Sequence, residues 1–167
     1  DVDNGDCDFL EEAVRSLRPA IVEIEILQVV LPPPIRYRQR FNHGVLNHSG
    51  LYDVAVERVF VRGCSLSAAA ALLPEHGLVE FAPSNARFAH RSILAELQLR
   101  ELGLAEAWRA MMGEEWGRIL LSRMGYSMFS FDLDYFRMGT LKEKMGLLQR
   151  HFEIYGAHER WELSAGA

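Results

Sequence analysis

Three consecutive prolines, Pro32–Pro34, interrupt a long run of strand-forming residues. Residues 21–31, IVEIEILQVVL, are rich in β-branched side chains, and residues 35–41 alternate apolar with charged or polar ones. Prolines cannot donate hydrogen bonds to a strand ladder, so the chain must leave the first strand here. The sequence therefore predicts two separate strands joined by an extended proline turn.

Length and composition predict one globular domain over residues 1–167. The chain has 167 residues, of which 49% are hydrophobic and 25% are charged. A chain of this size buries roughly two thirds of its unfolded surface, so it does not need disulfides or bound metals to be stable. The acidic start with Asn4 and Gly5 predicts that residues 1–8 are poorly ordered.

The order of predicted elements is α-β-β-β-α-β-α-α-β-α-β. Predicted helices cover residues 8–17, capped by Asp8, then 65–73, capped by Ser65 or Ser67, and 84–102, 105–124 and 140–155. Predicted strands cover 21–31, 35–41, 52–62, 78–81, 126–137 and 158–163, the last with Trp161 and Leu163 inward. This order predicts an α+β fold with a mostly antiparallel sheet and helices packed on one face.

Charge and cysteine content exclude some classes of function. The formal net charge is −5, whereas nucleic-acid binding needs a surplus of Lys and Arg, so we expect no nucleic-acid partner. The apolar runs are far shorter than the ~20 residues of a membrane helix, so we expect no membrane association. Two cysteines, Cys7 and Cys64, are too few for a disulfide framework, and we expect a reducing, cytoplasmic location.

Arginines occupy every second position of the predicted strand 35–41. Arg36, Arg38 and Arg40 would lie ~6.6 Å apart on one face, here called the arginine face, a spacing suited to gripping carboxylates or phosphates with planar guanidinium groups. We predict that they bind an anionic ligand together with Tyr52. The alternative is a solvated face on which the arginines pair with Glu23, Glu25 or Glu57 across strands.

Two further pairs of ionisable residues are candidates for acid–base chemistry. His43 and His48 flank a predicted turn and titrate near neutral pH, although their spacing matches no metal signature, and we assign no metal ligand. Asp132 and Asp134 share one face of a predicted strand, where burial could raise one pKa. The alternatives are exposed turn histidines and a polar outer sheet face. No residue pattern specifies a cofactor.

The sequence contains no GxxxxGK[ST], GxGxxG, GxSxG or HExxH motif and none that identifies a family. We therefore carry two hypotheses. The first is a small protein that binds an anionic small molecule at the arginine face, either as an enzyme or as a non-catalytic binding protein. The second is a non-catalytic homodimeric or chaperone-like subunit, suggested by apolar residues on two sides of the predicted helix 84–102 and by Trp108 and Met112 on the next helix.

Overall fold

The computed structural model describes residues 5–26, 31–41, 63–82, 85–113, 139–155 and 161–166. These residues form an α+β fold with antiparallel sheets, as predicted. The helices are α1 (Asp6–Leu17), α2 (Leu66–Leu72), α3 (Arg91–Glu96), α4 (Leu104–Gly113) and α5 (Leu141–Tyr155), and the strands are β1 (Ile21–Glu25), β2 (Ile35–Gln39), β3 (His76–Ala82), β4 (Asn85–His90) and β5 (Trp161–Ala165).

A three-stranded sheet has the order β1-β4-β3, with β4 in the centre. The prediction of a helix over 84–102 is wrong here, because residues 85–90 form β4 and only Arg91–Glu96 are helical. Ala86 and Phe88 face the core, while Arg87 faces outward and pairs with carboxylates of both neighbouring strands. Strand pairing on two sides thus overrides the local helix pattern.

The two-sided helix that suggested a homodimer is therefore absent from the described residues. The second support for association also disappears, because Trp108 and Met112 of α4 are 6% and 2% exposed and belong to the chain's own core. An apolar residue that is buried within one chain is not available to a second copy.

The second sheet pairs β2 with β5 in antiparallel register, so that Arg36 lies opposite Ser164 and Arg38 opposite Glu162. Trp161 and Leu163 pack against the core, which confirms their predicted inward orientation. The turn that precedes β2 is closed by a hydrogen bond from Ile35 N to Pro32 O of 3.0 Å, and its Pro33–Pro34 peptide is cis.

Ser65 connects α2 to β2. Its buried Oγ accepts hydrogen bonds from Ala68 N at 3.2 Å and from Tyr37 N at 2.9 Å, and it donates to Ile35 O at 3.2 Å. The predicted helix cap is therefore confirmed for Ser65. It also satisfies backbone groups of β2, and this fixes the helix against the strand.

The predicted capping box of α5 is also confirmed. Thr140 N donates to Glu143 Oε2 at 2.9 Å, and Glu143 N donates to Thr140 Oγ1 at 3.3 Å. This reciprocal arrangement satisfies amides that a helix start otherwise leaves unpaired.

Helix α1 begins at Asp6, so Asp8 is not its cap and residues 5–8 are ordered, contrary to prediction. Cys7 is fully buried and forms a disulfide with Cys64, the residue just before Ser65. The expectation of a reducing compartment did not anticipate this bond, because the fold brings together two residues that are 57 positions apart in the sequence. Disulfides persist in oxidising compartments, so the argument for a cytoplasmic location loses its basis.

Several predicted elements lie outside the described residues, namely the strands 52–62 and 126–137 and the second half of the helix 105–124. Within the described part of the chain, none of the helices combines the length and apolar character needed to cross a membrane.

Candidate functional site

The arginine face of β2 forms as the sequence predicts. Ile35 and Tyr37 are fully buried on one side of the strand, and Arg36, Arg38 and Arg40 project from the other. The three arginines nevertheless have different surroundings, because α1 and β5 cover only part of this face.

Arg38 is held by two carboxylates of α1. Its guanidinium donates to Asp8 and to Glu11, the latter at 2.7 Å, and its side chain is only 13% exposed. A guanidinium that is this well buried needs a counter-ion, and both of its partners come from the protein itself.

Arg40 is also paired internally. It donates to Asp8 Oδ1 at 3.0 Å and to Glu162 Oε1 of β5 at 2.6 Å. Asp8 accepts a further hydrogen bond from Phe41 N at 2.9 Å, so one carboxylate connects α1 to both arginines and to the backbone beyond β2. Arg38 and Arg40 thus form ion pairs with carboxylates of the protein, as the alternative interpretation expected.

The predicted partners of these arginines are wrong, however. The partners are carboxylates of α1 and β5, whereas Glu23 pairs with Arg87 in the other sheet. Glu57 lies outside the described residues.

The ionisation of Asp8 makes stability depend on pH. Burial raises the pKa of Asp8, but the hydrogen bonds from Arg38 and Phe41 N outweigh burial and hold that pKa below its ordinary value of 3.8. A folded-state pKa that is lowered gives a contribution that is complete above the unfolded value and is lost as the pH falls through the folded value.

We therefore expect the stability difference between the wild type and Asp8→Asn to be largest near neutral pH and to shrink in acid, because protonation of Asp8 removes its charge in the wild type as well. Urea unfolding at a series of pH values from neutral to below 3.8 measures this difference. A difference that stays constant into acid would contradict the assignment of the ion pairs to Asp8.

Arg36 is the exception on the arginine face. It is exposed, and no carboxylate among the described residues pairs with it. It borders a cavity of about 350 Å³, here called the Arg36 cleft, which lies between the proline turn, α2, β3 and the start of α4. Leu78, Phe88 and Leu102 contribute apolar surface to this cleft.

Gly166 allows Arg36 to lie beside the proline turn. A Cβ atom at this position would stand 2.6 Å from Pro34 O and 3.0 Å from Arg36 Nε, which is too close for any side chain. Gly166 N also donates to Pro34 O at 2.9 Å. The backbone after β5 therefore packs directly against the turn and against the arginine side chain.

Two buried polar side chains also line the Arg36 cleft. Ser67 is 5% exposed and His76 is 7% exposed. His76 Nε2 lies 2.8 Å from Pro19 O, and since a carbonyl oxygen only accepts, Nε2 carries the hydrogen in this contact. Among the described residues, Ser67 Oγ and His76 Nδ1 have no hydrogen-bond partner. Buried polar atoms of this kind are uncommon and often mark functional positions.

An ion pair forms a further part of the lining. Arg91 of α3 binds Glu101 through two parallel hydrogen bonds of 2.9 Å each. The hydrogen bond from Arg91 holds the pKa of Glu101 below its ordinary value, so the pair stays charged at neutral pH. Arg91 is thereby neutralised, whereas Arg36 is not neutralised by any carboxylate in the part of the chain that the structure describes.

A smaller cavity of about 210 Å³ lies on another side of Arg36 and is bordered by Arg38, Glu162 and Ser164. The charges of Arg38 and Glu162 are already engaged in internal ion pairs. Among the described residues that border this cavity, Arg36 therefore has the one charge that is not engaged in an ion pair.

Of the eight predicted site residues, Arg36 lies at a cavity and has no carboxylate partner within the described ranges of the chain. Arg38 and Arg40 share its strand face but are internally paired. The other five lie outside the described residues: His43, His48, Tyr52, Asp132 and Asp134. Sequence reasoning missed Ser67, His76, Arg91, Glu101 and Gly166, because no local pattern distinguishes them.

Comparison of the chain with protein-family models, with curated proteins and with solved structures finds no match.

Proposed function

We propose that the protein binds a small molecule with a carboxylate or phosphate group, and that Arg36 holds this anion in the Arg36 cleft. The observation that carries the proposal is that Arg36, beside a cavity of about 350 Å³, has no carboxylate partner among the described residues. Small-molecule sites are typically clefts of roughly 300–1,000 Å³ with mostly apolar walls and a few polar groups. The Arg36 cleft fits this description.

The chemistry of arginine supports an anionic ligand. A guanidinium presents its N–H groups in a planar fork that matches two oxygens of a carboxylate or phosphate. Charge-assisted hydrogen bonds of this kind are about twice as strong as neutral ones. The neighbouring apolar surface lowers the local dielectric constant and strengthens the contact further.

The proposal concerns binding and assigns no catalytic step. The candidate acid–base residues His43, His48, Asp132 and Asp134 lie outside the described residues. Arg38 and Arg40 are assigned a structural role, because their carboxylate partners already satisfy their charge.

Arg36→Gln tests the proposal. We expect carboxylates or phosphates to raise the melting temperature of the wild type in a thermal-shift screen, because a ligand that binds only the folded state stabilises it. The same ligands should leave Arg36→Gln unshifted, since the substitution removes the charge but keeps a polar side chain.

Arg15→Gln is the matched control, because Arg15 lies on α1 with its side chain 76% exposed and does not line the Arg36 cleft. It should respond to ligands like the wild type. The proposal fails if no anion stabilises the wild type, or if Arg36→Gln is stabilised as much as Arg15→Gln.

A further inference from the structure

The Arg36 cleft contains a fixed negative charge as well as positive ones. Among the described residues, the charged side chains that line it are Arg36, Arg91 and Glu101. At neutral pH they carry formal charges of +1, +1 and −1, so this described part of the lining has a net charge of about +1. A ligand with one negative charge neutralises this lining, whereas a ligand with two leaves one charge uncompensated next to apolar walls.

From this balance we infer that Glu101 sets the specificity of the cleft, restricting it to ligands with a single negative charge and an apolar body, such as monocarboxylic acids. The inference rests on the proposed function, since it assumes that Arg36 anchors the anion. It adds a substrate class and a specificity-determining residue to that proposal.

The position of Glu101 is defined by its surroundings. A Cβ atom on Gly77 would stand 2.7 Å from Glu101 Cδ and 2.8 Å from its Cγ, so the side chain of Glu101 lies directly on the bare backbone of β3. Its two oxygens then face the guanidinium of Arg91, which also donates to Pro74 O at 2.5 Å. Arg91 is therefore engaged on two sides, and an incoming anion would have to displace Glu101 to reach it.

The apolar surface of the cleft explains the second half of the inference. Leu102 and Leu104 border the cleft as partly buried side chains and offer apolar surface to a ligand, whereas Leu78 and Phe88, which also line it, are already almost fully buried. An alkyl or aryl body that covers this surface leaves water, and each buried methylene raises affinity by about fourfold. Highly hydrated ligands such as inorganic phosphate gain nothing from these contacts.

A series of eight-carbon probes separates charge from shape. The probes are octanoate, octanedioate, octyl phosphate and octanamide, titrated by calorimetry at a pH where the phosphate ester carries two charges. We expect the wild type to bind octanoate at least about tenfold more tightly than octanedioate, octyl phosphate or the neutral amide, as a difference of one uncompensated or missing charge predicts.

Glu101→Gln should reverse the preference of the cleft for ligands with one negative charge over ligands with two. The substitution raises the net charge of the lining to about +2, so octanedioate and octyl phosphate should become the tighter ligands. Glu101 and Arg91 side chains are 43% and 51% exposed, so this change at the surface is compatible with folding.

Arg91→Gln provides a second variant: it lowers the net charge to about zero and should weaken octanoate binding by about tenfold.

The outcomes distinguish the inference from the proposal beneath it. The role of Glu101 would be overturned if the wild type bound octanedioate or octyl phosphate more tightly than octanoate. It would also be overturned if Glu101→Gln kept the wild-type ranking of the ligands and Arg91→Gln bound octanoate as tightly as the wild type. Neither result would contradict anion binding at Arg36. Equal affinity for octanoate and octanamide, in the wild type and in Arg36→Gln alike, would overturn the proposed function itself.

Discussion

Replacing Cys7 and Cys64 together by alanine should lower the free energy of unfolding by about 4 kcal/mol. The disulfide joins residues separated by 57 positions, and a covalent loop of that length restricts the unfolded chain by this amount in the chain-entropy description. Both cysteines are fully buried, so the loss of packing adds to the effect. Urea unfolding of the oxidised wild type and of the double variant measures the difference.

Thiol titration provides the control. The wild type, unfolded in denaturant without a reducing agent, should show no reactive thiol, and after reduction it should show the thiols of Cys7 and Cys64. Reactive thiols in the unreduced protein would show that the two cysteines are not joined. Equal stability of the oxidised wild type and the double variant would show that the bond contributes nothing to the fold.

Asp8→Asn should lower the free energy of unfolding by about 3 kcal/mol at neutral pH. The variant leaves Arg38, which is 13% exposed, with Glu11 alone and also weakens the contacts with Arg40 and Phe41 N. Removing one partner of a largely buried ion pair costs about this much because the remaining charge is poorly solvated. Chemical denaturation of the variant beside the wild type measures the effect.

Glu12→Gln is the matched control for Asp8→Asn. Glu12 lies on the same helix and also contacts an arginine, Arg15, but both side chains are exposed. Exposed ion pairs contribute little, so this variant should unfold like the wild type. Equal effects of the two substitutions would show that the contacts of Asp8 are no more important than an ordinary surface pair.

The disulfide and the ion pairs of Asp8 both fix the first turn of α1 to the rest of the fold. The disulfide joins the first turn of α1 to the residue before Ser65, and Asp8, one position after Cys7, connects that turn to the arginine face of β2. The covalent and the ionic contacts therefore hold α1 over Arg38 and Arg40. The same contacts leave Arg36, two residues earlier on the strand, outside the covered area.

Elements defined by local patterns could be predicted from the sequence. The alternation in residues 35–39 places Ile35 and Tyr37 inside and the arginines outside, as β2 shows. Helix caps are equally local, since Ser65 and Thr140 act on amides only three residues away.

Strand β4 was missed for a physical reason. Residues 85–90 contain no strong strand signal of their own, and their conformation is determined by pairing with β1 on one side and β3 on the other. Such pairing depends on residues that are distant in sequence, which a local window does not include.

The carboxylates that pair with the arginines could not be predicted from the sequence either. Asp8 lies 32 residues before Arg40, and Glu162 lies 122 residues after it, so no spacing rule connects them. The cleft likewise combines the proline turn with α2, β3 and residues 101–104. Gly166, near the end of the described chain, packs against Pro34 and Arg36. The arginine pattern was visible in the sequence, but only the fold shows that Arg38 and Arg40 bind carboxylates while Arg36 has no such partner in the described part of the chain.

The central claim is that the arginine face is divided, with Arg38 and Arg40 engaged by the protein's own carboxylates and Arg36 open to a ligand. The most direct test follows the Nε–H signals of the three arginines in a proton–nitrogen correlation spectrum during titration with octanoate, with assignments from single Arg→Lys variants. We predict that the Arg36 signal moves in proportion to binding while those of Arg38 and Arg40 stay in place. Movement of the Arg38 or Arg40 signal, or a stationary Arg36 signal while octanoate binds, would contradict the claim.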